Sequence, residues 1–229
     1  MNVRTLLPLI LSISVSCVLL FFSGCSDAPP ALVVVETTVV YEYDHPQEAP
    51  RQRLAVFVQE SEGTERIMNL VVTHQATGIQ WRVESPLVVY NGSMVKAGSA
   101  NLLPPYFSPI PTGEYGVVYN DLAGKSTTGG FSLNYSAVDG LPLDQPVLEK
   151  KGEQEESAQP TEPLRKIAVY EGRDGQGKLL FLDKARFNWE VLADIQEDYS
   201  DAKSLRLCLD YPSRQVRYLL PPQNIESGE

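Results

Sequence analysis

Two histidines are the first residues to weigh as catalytic bases or zinc ligands. His74 ends an alternating apolar run, so it is predicted to lie at the edge of a core. His45 precedes Pro46 in a polar stretch that is typical of a solvated loop. Two separated histidines without paired cysteines predict no metal site, and no Gly-x-Ser-x-Gly elbow marks a nucleophile. The sequence therefore predicts no catalytic residue, no metal and no cofactor, although a triad assembled from distant residues stays open as an alternative.

Two glycine-containing segments invite a ligand-binding interpretation. Gly124-Lys125-Ser126 ends like a phosphate-binding loop, but Tyr119 stands where that motif needs its first glycine. Asp174-Gly175-Gln176-Gly177 has the acidic start of a calcium loop without the alternating acidic ligands or the glutamate twelve residues along. Both segments are therefore predicted to be turns.

The charge balance limits the partners. The chain has 229 residues, 19 Lys and Arg against 29 Asp and Glu, and a formal net charge of −10. Binding to nucleic acid phosphates needs clustered Lys and Arg, so no nucleic-acid partner is expected. Anionic lipid headgroups would repel such a chain, so surface charge would not hold it on a membrane.

The amino terminus has the three parts of a secretory signal peptide. Arg4 supplies the basic start, 6–22 is a nearly unbroken apolar run, and Ser23-Gly24 supplies two small residues before Cys25. An uncleaved membrane anchor is the rival interpretation, but the run is at the lower length limit for a spanning helix and contains Pro8 and three serines. The pattern predicts a signal peptide over 1–24.

The segment Phe22-Ser23-Gly24-Cys25 resembles the lipobox of bacterial lipoproteins, with Phe22 in the place of the usual leucine. The resemblance implies cleavage between Gly24 and Cys25, diacylglycerol on the Cys25 sulfur and acylation of the new amino group. Cys17 is the competing cysteine, but cleavage there would leave an apolar mature end. Residues 25–30 would then form a lipidated tether, and loss of Arg4 with the leader would make the net charge −11.

Cys208 is the other cysteine of the mature chain. With Cys25 lipidated, no internal disulfide is possible. Cys208 lies in an alternating segment between Leu207 and Leu209, which predicts a small packing residue and not a reactive thiol.

Alternating apolar residues and frequent turns over 31–140 predict a β-sandwich. The predicted strands include Val33–Tyr43 and segments around Val56, Leu70, Trp81, Val117 and Leu133. Gly113-Glu114-Tyr115-Gly116-Val117 resembles the Gly-x-Tyr-x-Cys segment of immunoglobulin-like domains, with Val117 in the place of the cysteine. In that fold the tyrosine hydroxyl bonds back to the backbone and fixes a corner of the chain.

The remaining chain changes character twice. Residues 141–165 are rich in Gln, Glu, Pro, Ser and Lys, which predicts a linker or long loop. Residues 166–222 predict a small α+β module: two strands around a turn at 172–177, a helical apolar stripe that includes Ile195 and Tyr199, and strands at 205–209 and 216–220. Alternatively, these strands add to the first domain. Residues 223–229 are a tail.

The fold class expected is therefore mainly β, an immunoglobulin-like β-sandwich followed by a small α+β module. The function expected is that of a non-enzymatic binding or assembly module of the bacterial cell envelope. It would be attached through lipid on Cys25 to the cell membrane or outer membrane, face the periplasm or cell surface, and bind an envelope protein. Two alternatives remain: an envelope hydrolase with a spatially assembled triad, and a carrier with an apolar cavity between its sheets.

Aromatic residues near prolines suggest where a partner would bind. Tyr90, Tyr106, Phe107 and Tyr119 are candidates for an aromatic binding surface on the sandwich loops. Roles in the core and in turns are the favoured interpretation of the same residues.

Overall fold

The computed structural model describes residues 31–61, 64–91, 94–105, 108–143, 163–184, 189 and 192–225. Thirteen strands and one short α-helix make up the described elements, together with three 3₁₀ turns. The strands are β1 Leu32–Glu42, β2 Arg51–Glu60, β3 Ile67–His74, β4 Gln80–Val83, β5 Leu87–Asn91, β6 Met94–Leu102, β7 Gly113–Asp121, β8 Ser126–Leu133, β9 Leu164–Tyr170, β10 Leu179–Asp183, β11 Ser204–Tyr211, β12 Val216–Leu219 and β13 Gln223–Asn224. The helix α1 is Leu192–Asp198.

These strands form two sheets, and the predicted mainly-β, sandwich-like fold class is confirmed. The large sheet has the strand order β10-β9-β11-β12-β1-β2-β6-β5, with β13 paired to β11. The small sheet has the order β4-β3-β7-β8. Whether the sandwich is specifically immunoglobulin-like stays a prediction.

The main core fills the space on one face of the large sheet. Alternate residues of β1 and β2, such as Val39, Leu54 and Val56, point into it because successive side chains of a strand face opposite sides. Leu70 and Val117 belong to the same cluster from the small sheet. All five side chains are fully buried. The apolar residues that alternate along the sequence are therefore the ones that face the core.

The carboxyl-terminal strands extend the large sheet. β12 pairs in parallel with β1, from Val39 opposite Val216 to Glu42 opposite Leu219, and β11 and β9 follow on its other side. This is the second of the two arrangements that the sequence left open for 166–222. Ile195 of the predicted helical stripe lies on α1 and is fully buried in the same core cluster, and Tyr199 of that stripe packs against the cluster.

The strand register gives the sandwich two distinct ends. At the proximal end, nearest residue 31, Leu32 of β1 lies opposite Glu60 of β2, and the β5–β6 hairpin turns between Asn91 and Met94. At the distal end, β1 finishes at Glu42 and β2 begins at Arg51. The two ends therefore carry different loops, and those loops present different side chains.

Tyr115 makes the corner hydrogen bond that the sequence motif predicts. Its hydroxyl donates to the carbonyl oxygen of Pro111 at 2.6 Å, and its ring is fully buried. The ring stacks on Phe131 at 4.7 Å between centroids and lies 6.3 Å from Trp81. The bond fixes the entry of the chain into β7, at the distal end of the small sheet.

Replacing Tyr115 with phenylalanine is expected to lower the free energy of unfolding by about 1 kcal/mol, since it removes one hydrogen bond and leaves the Pro111 carbonyl without this donor. Equilibrium denaturation in urea measures the change. Tyr90→Phe is the matched control, because the Tyr90 side chain is exposed. Equal stability of the two variants would contradict a structural role for the corner.

Cys208 is the packing residue that the sequence predicts. It is a fully buried free thiol on the other face of the large sheet, in a small cluster with Val40, Ala55 and Leu219. Burial raises the pKa of the Cys208 thiol to about 11. A buried thiol with a raised pKa is a poor nucleophile.

Both glycine-containing segments are turns. Residues 122–125 join β7 to β8, and the Asp121 carboxylate accepts hydrogen bonds from the amides of Ala123 and Lys125, each at 2.8 Å. Residues 173–175 form a 3₁₀ turn between β9 and β10. The structure confirms both segments as turns, as the sequence predicts.

Candidate functional site

A cleft of about 510 Å³ opens at the distal end of the large sheet. Three loops meet there, one after β1, one between β9 and β10, and one after β12, and Leu143 from the segment after β8 lies beside them. The described lining residues are Asp44, His45, Pro46, Leu143, Asp174, Gln176, Pro221, Pro222 and Gln223. The lining combines two carboxylates and a histidine with three rigid prolines, so the cleft is polar with apolar walls.

The buried side chain of Arg206 links these three loops at the base of the cleft. Its side chain is fully buried, although it alternates with Leu205 and Leu207 on β11. The guanidinium donates to the carbonyl oxygens of Tyr43 at 2.7 Å, Asp174 at 3.1 Å and Leu220 at 3.5 Å, one from each loop. A buried charge needs such partners, because an unpaired guanidinium would be costly to remove from water.

Carboxylates of β1 and its following loop balance the charge of Arg206. Nη2 lies 3.2 Å from Asp44 Oδ1 and 3.5 Å from Glu42 Oε1. Arg51, which is more exposed, approaches Asp44 Oδ2 to 3.0 Å. Asp44 therefore lines the cleft as a carboxylate shared between two arginines.

The turn at 173–175 is shaped to fit against Arg206. Asp174 adopts a left-handed backbone with φ of 55°, and Gly175 follows with φ of 69°. A Cβ on Gly175 would lie 2.0 Å from Arg206 Nε, so only glycine fits there. Asn224 completes the turn, since its side chain accepts from the Asp174 amide and donates to the Asp174 carboxylate, both at 2.8 Å.

The described lining of this cleft is suited to binding through hydrogen bonds and apolar contacts. The described cleft lining contains no serine, threonine or cysteine, so no hydroxyl or thiol nucleophile accompanies His45 there. Within the described ranges, no three histidine, cysteine, aspartate or glutamate side chains converge as metal ligands. The cleft offers hydrogen-bond acceptors and proline surfaces, which are suited to a polypeptide segment that carries a donor or a positive charge.

His74 is buried at the edge of the core, as predicted. Its Nε2 lies 3.1 Å from the carbonyl oxygen of Thr112, and its Nδ1 lies 2.8 Å from the hydroxyl of Thr77. The Thr112 carbonyl requires a proton on Nε2, which leaves Nδ1 to accept from Thr77. Both ring nitrogens thus fix loops at the distal end of the small sheet.

The residues of the predicted aromatic surface do not share one location in the structure. Tyr119 is buried in the core, and Tyr90 is 69% exposed at the proximal hairpin. Tyr106 and Phe107 lie outside the described residues. Of the core and turn roles favoured for these residues, a core role is confirmed for Tyr119, and Tyr90 lies beside the β5–β6 turn.

The carrier alternative required loose packing around Trp81. Instead, its ring packs against the core, and the indole N–H donates to the carbonyl oxygen of Leu103 at 2.7 Å. The 510 Å³ cleft lies at the end of the large sheet and not between the two sheets. These contacts favour a packed sandwich around Trp81.

Gly24 and Cys25, the predicted cleavage and lipidation residues, lie outside the described residues. Within the part of the chain that the structure describes, no helix is long and apolar enough to cross a bilayer. The cleft could not be predicted from the sequence, because its loops are far apart in the chain. The one local signal for the cleft was Arg206, a charged residue between Leu205 and Leu207 in a predicted strand.

Comparison with protein-family models, with curated proteins and with solved structures finds no significant match.

Proposed function

We propose that this chain is a lipid-anchored module of the bacterial cell envelope that binds a protein partner and catalyses no reaction. The observation that carries the proposal is the position of Cys25, directly after Ser23-Gly24 at the point where the apolar run ends. The segment resembles a lipobox, which implies lipid on the Cys25 sulfur and cleavage between Gly24 and Cys25.

Lipid on one cysteine is sufficient to hold a protein of this size. Each buried CH₂ contributes about 0.8 kcal/mol, and a single short chain gives only marginal attachment. Two or three acyl chains on one residue make attachment effectively permanent. A chain with a net charge near −11 after cleavage needs such an anchor, because anionic headgroups repel it.

The placement of the two ends of the sandwich supports a binding role. The tether of residues 25–30 joins the fold at the proximal end, where β1 begins at Leu32. The cleft that Arg206 organises lies at the opposite, distal end. Anchoring at one end would leave the cleft directed away from the lipid, toward a partner in the periplasm or outside the cell.

The sequence after the cysteine favours one membrane. Many lipoproteins that stay in the inner membrane carry aspartate directly after the lipidated cysteine, and here Ser26 stands there, with Asp27 one place later. In a cell with two membranes, this residue favours the outer membrane over the inner one.

The test replaces each candidate cysteine in turn. Cys25→Ala is expected to abolish incorporation of an alkyne-tagged fatty acid, whereas Cys17→Ala is the matched control and is expected to retain it. Cells are labelled, the protein is isolated, and tag per protein is read on a gel. Labelling that persists in Cys25→Ala, or disappears in Cys17→Ala, would overturn the assignment of the lipid to Cys25.

The binding role has its own test. Photocrosslinkers placed at Gln176, in the cleft, and at Thr128, an exposed residue of β8, are activated in intact cells. A discrete crosslinked protein is expected from Gln176 only. Crosslinks of equal yield and identity from both positions, or none from Gln176, would contradict partner binding at the cleft.

A further inference from the structure

Four of the large apolar side chains that are exposed on the described surface lie at the proximal end of the sandwich. Tyr90 and Met94 flank the β5–β6 turn and are 69% and 43% exposed, and Leu122 in the β7–β8 turn is 71% exposed. Met68, near the start of β3, is 44% exposed. Folded proteins do leave single apolar residues on their surfaces, but several on the same rim mark a contact surface.

Register and hydrogen bonds place these four residues at one end. Tyr90 on β5 lies opposite Val95 on β6. Strand β6 pairs with β2, and the end of β2 lies opposite Leu32 at the start of β1. On the small sheet, Ile67 lies opposite Asp121, and the Leu122 amide donates to the carbonyl oxygen of Arg66 at 2.9 Å. The turn Thr64–Arg66 connects the two sheets there.

The length of the tether limits how far this rim can lie from the lipid. Six residue steps separate Cys25 from Ala31, which reach at most about 20 Å when fully extended. Three strand spacings, about 14 Å, separate β1 from β5 across the large sheet. The proximal rim is therefore the part of the described fold nearest to a lipid on Cys25.

The charge of this end opposes lipid contact only weakly. The Arg66 guanidinium lies 3.6 Å from the Asp121 carboxylate. Among the charged residues described at this end, Arg66 and Lys125 against Glu60, Glu65 and Asp121 leave a net charge of −1, whereas the whole chain carries −10. Tyrosine and methionine are suited to the boundary between headgroups and acyl chains, because each combines apolar surface with a polar or polarisable group.

We infer that the rim formed by Met68, Tyr90, Met94 and Leu122 rests on the lipid surface and fixes the orientation of the anchored protein. The inference depends on the proposed lipid anchor. It adds that the fold itself touches the bilayer, so that the distal cleft points away from the membrane in a fixed direction and does not swing on a flexible tether.

Two exposed leucines provide matched probes at opposite ends. Leu122 is in the proximal rim, and Leu103 follows β6 at the distal end and is 58% exposed. The protein purified from native membranes, as Leu122→Cys or Leu103→Cys, is spin-labelled and reconstituted in vesicles of phosphatidylethanolamine and phosphatidylglycerol. Cys208 is fully buried, so the unsubstituted protein serves as the blank. Tyr90→Cys is a second proximal probe if Leu122→Cys fails to fold.

The readout is the accessibility of each label to oxygen, which enters lipid, and to a water-soluble nickel chelate. The oxygen-to-nickel ratio is expected to be at least about threefold higher at Leu122→Cys than at Leu103→Cys, because an interfacial contact buries side chains into the headgroup boundary. Equal oxygen-to-nickel ratios at the two sites would overturn the inference, whether both labels are in water or both are in lipid. Low access to both reagents at Leu122→Cys would mean a protein contact and would also overturn it.

Two measurements on the same samples separate the inference from the proposed function. Flotation with the vesicles and the mass of the amino-terminal peptide report the lipid anchor. A lipidated protein that floats but gives equal ratios disproves the membrane contact alone. A protein without acyl groups on Cys25 disproves both.

Discussion

Replacing Arg206 with leucine is expected to lower the free energy of unfolding by about 3 kcal/mol, at the low end of the cost of breaking a buried ion pair. The low end applies because the Asp44 side chain is 37% exposed and Glu42 keeps Arg53 at 3.3 Å. The variant also removes the donor that joins the carbonyls of Tyr43 and Asp174, so the cleft is expected to lose its shape.

Urea denaturation of the detergent-solubilised protein measures this change. Arg82→Leu is the matched control, because Arg82 and its partner Glu84 are 57% and 68% exposed. An exposed pair contributes at most about 1 kcal/mol, so this variant is expected to remain close to the wild type. If Arg206→Leu is no less stable than Arg82→Leu, Arg206 does not hold the cleft loops together.

Gly98→Ala is expected to be destabilising by about 3 kcal/mol or more, the upper end of the range for inserting a methyl group into a packed interior. Gly98 of β6 lies opposite Phe57 of β2, and a Cβ there would come 1.9 Å from the carbonyl oxygen of Val56. The obstacle is backbone, which cannot rotate away as a side chain can. The pairing of β2 with β6 must therefore open locally.

Gly116→Ala provides the control for Gly98→Ala. Gly116 is also in a strand, but a Cβ there would meet nothing within 4 Å. Its stability is expected to stay within about 0.5 kcal/mol of the wild type. Thermal unfolding followed by circular dichroism compares the two variants. An unchanged midpoint for Gly98→Ala would contradict the close approach of β6 to β2.

The sequence could predict those parts of the fold that depend on local pattern. The strand around Leu70 and the corner at Tyr115 follow from alternation and from a five-residue motif. The parallel pairing of β1 with β12 could not be predicted, because Val216–Leu219 has the same apolar alternation whether it forms a separate module or extends the first sheet.

The candidate site was harder to predict than the fold. The cleft exists because Arg206 brings together backbone carbonyls from residues 43 and 174, which no sequence spacing encodes. Asp174 and Gly175 were recognisable as a turn, but what the turn packs against was not. Exposure of Tyr90 likewise depends on the position of β5 at the edge of the large sheet.

The mass of the amino-terminal peptide from the native membrane protein decides whether lipid on Cys25 anchors the chain. The peptide is expected to begin at Cys25 and to carry diacylglycerol on sulfur and an acyl group on nitrogen. A peptide that begins before Cys25, or a Cys25 with a free thiol, would contradict the lipid anchor.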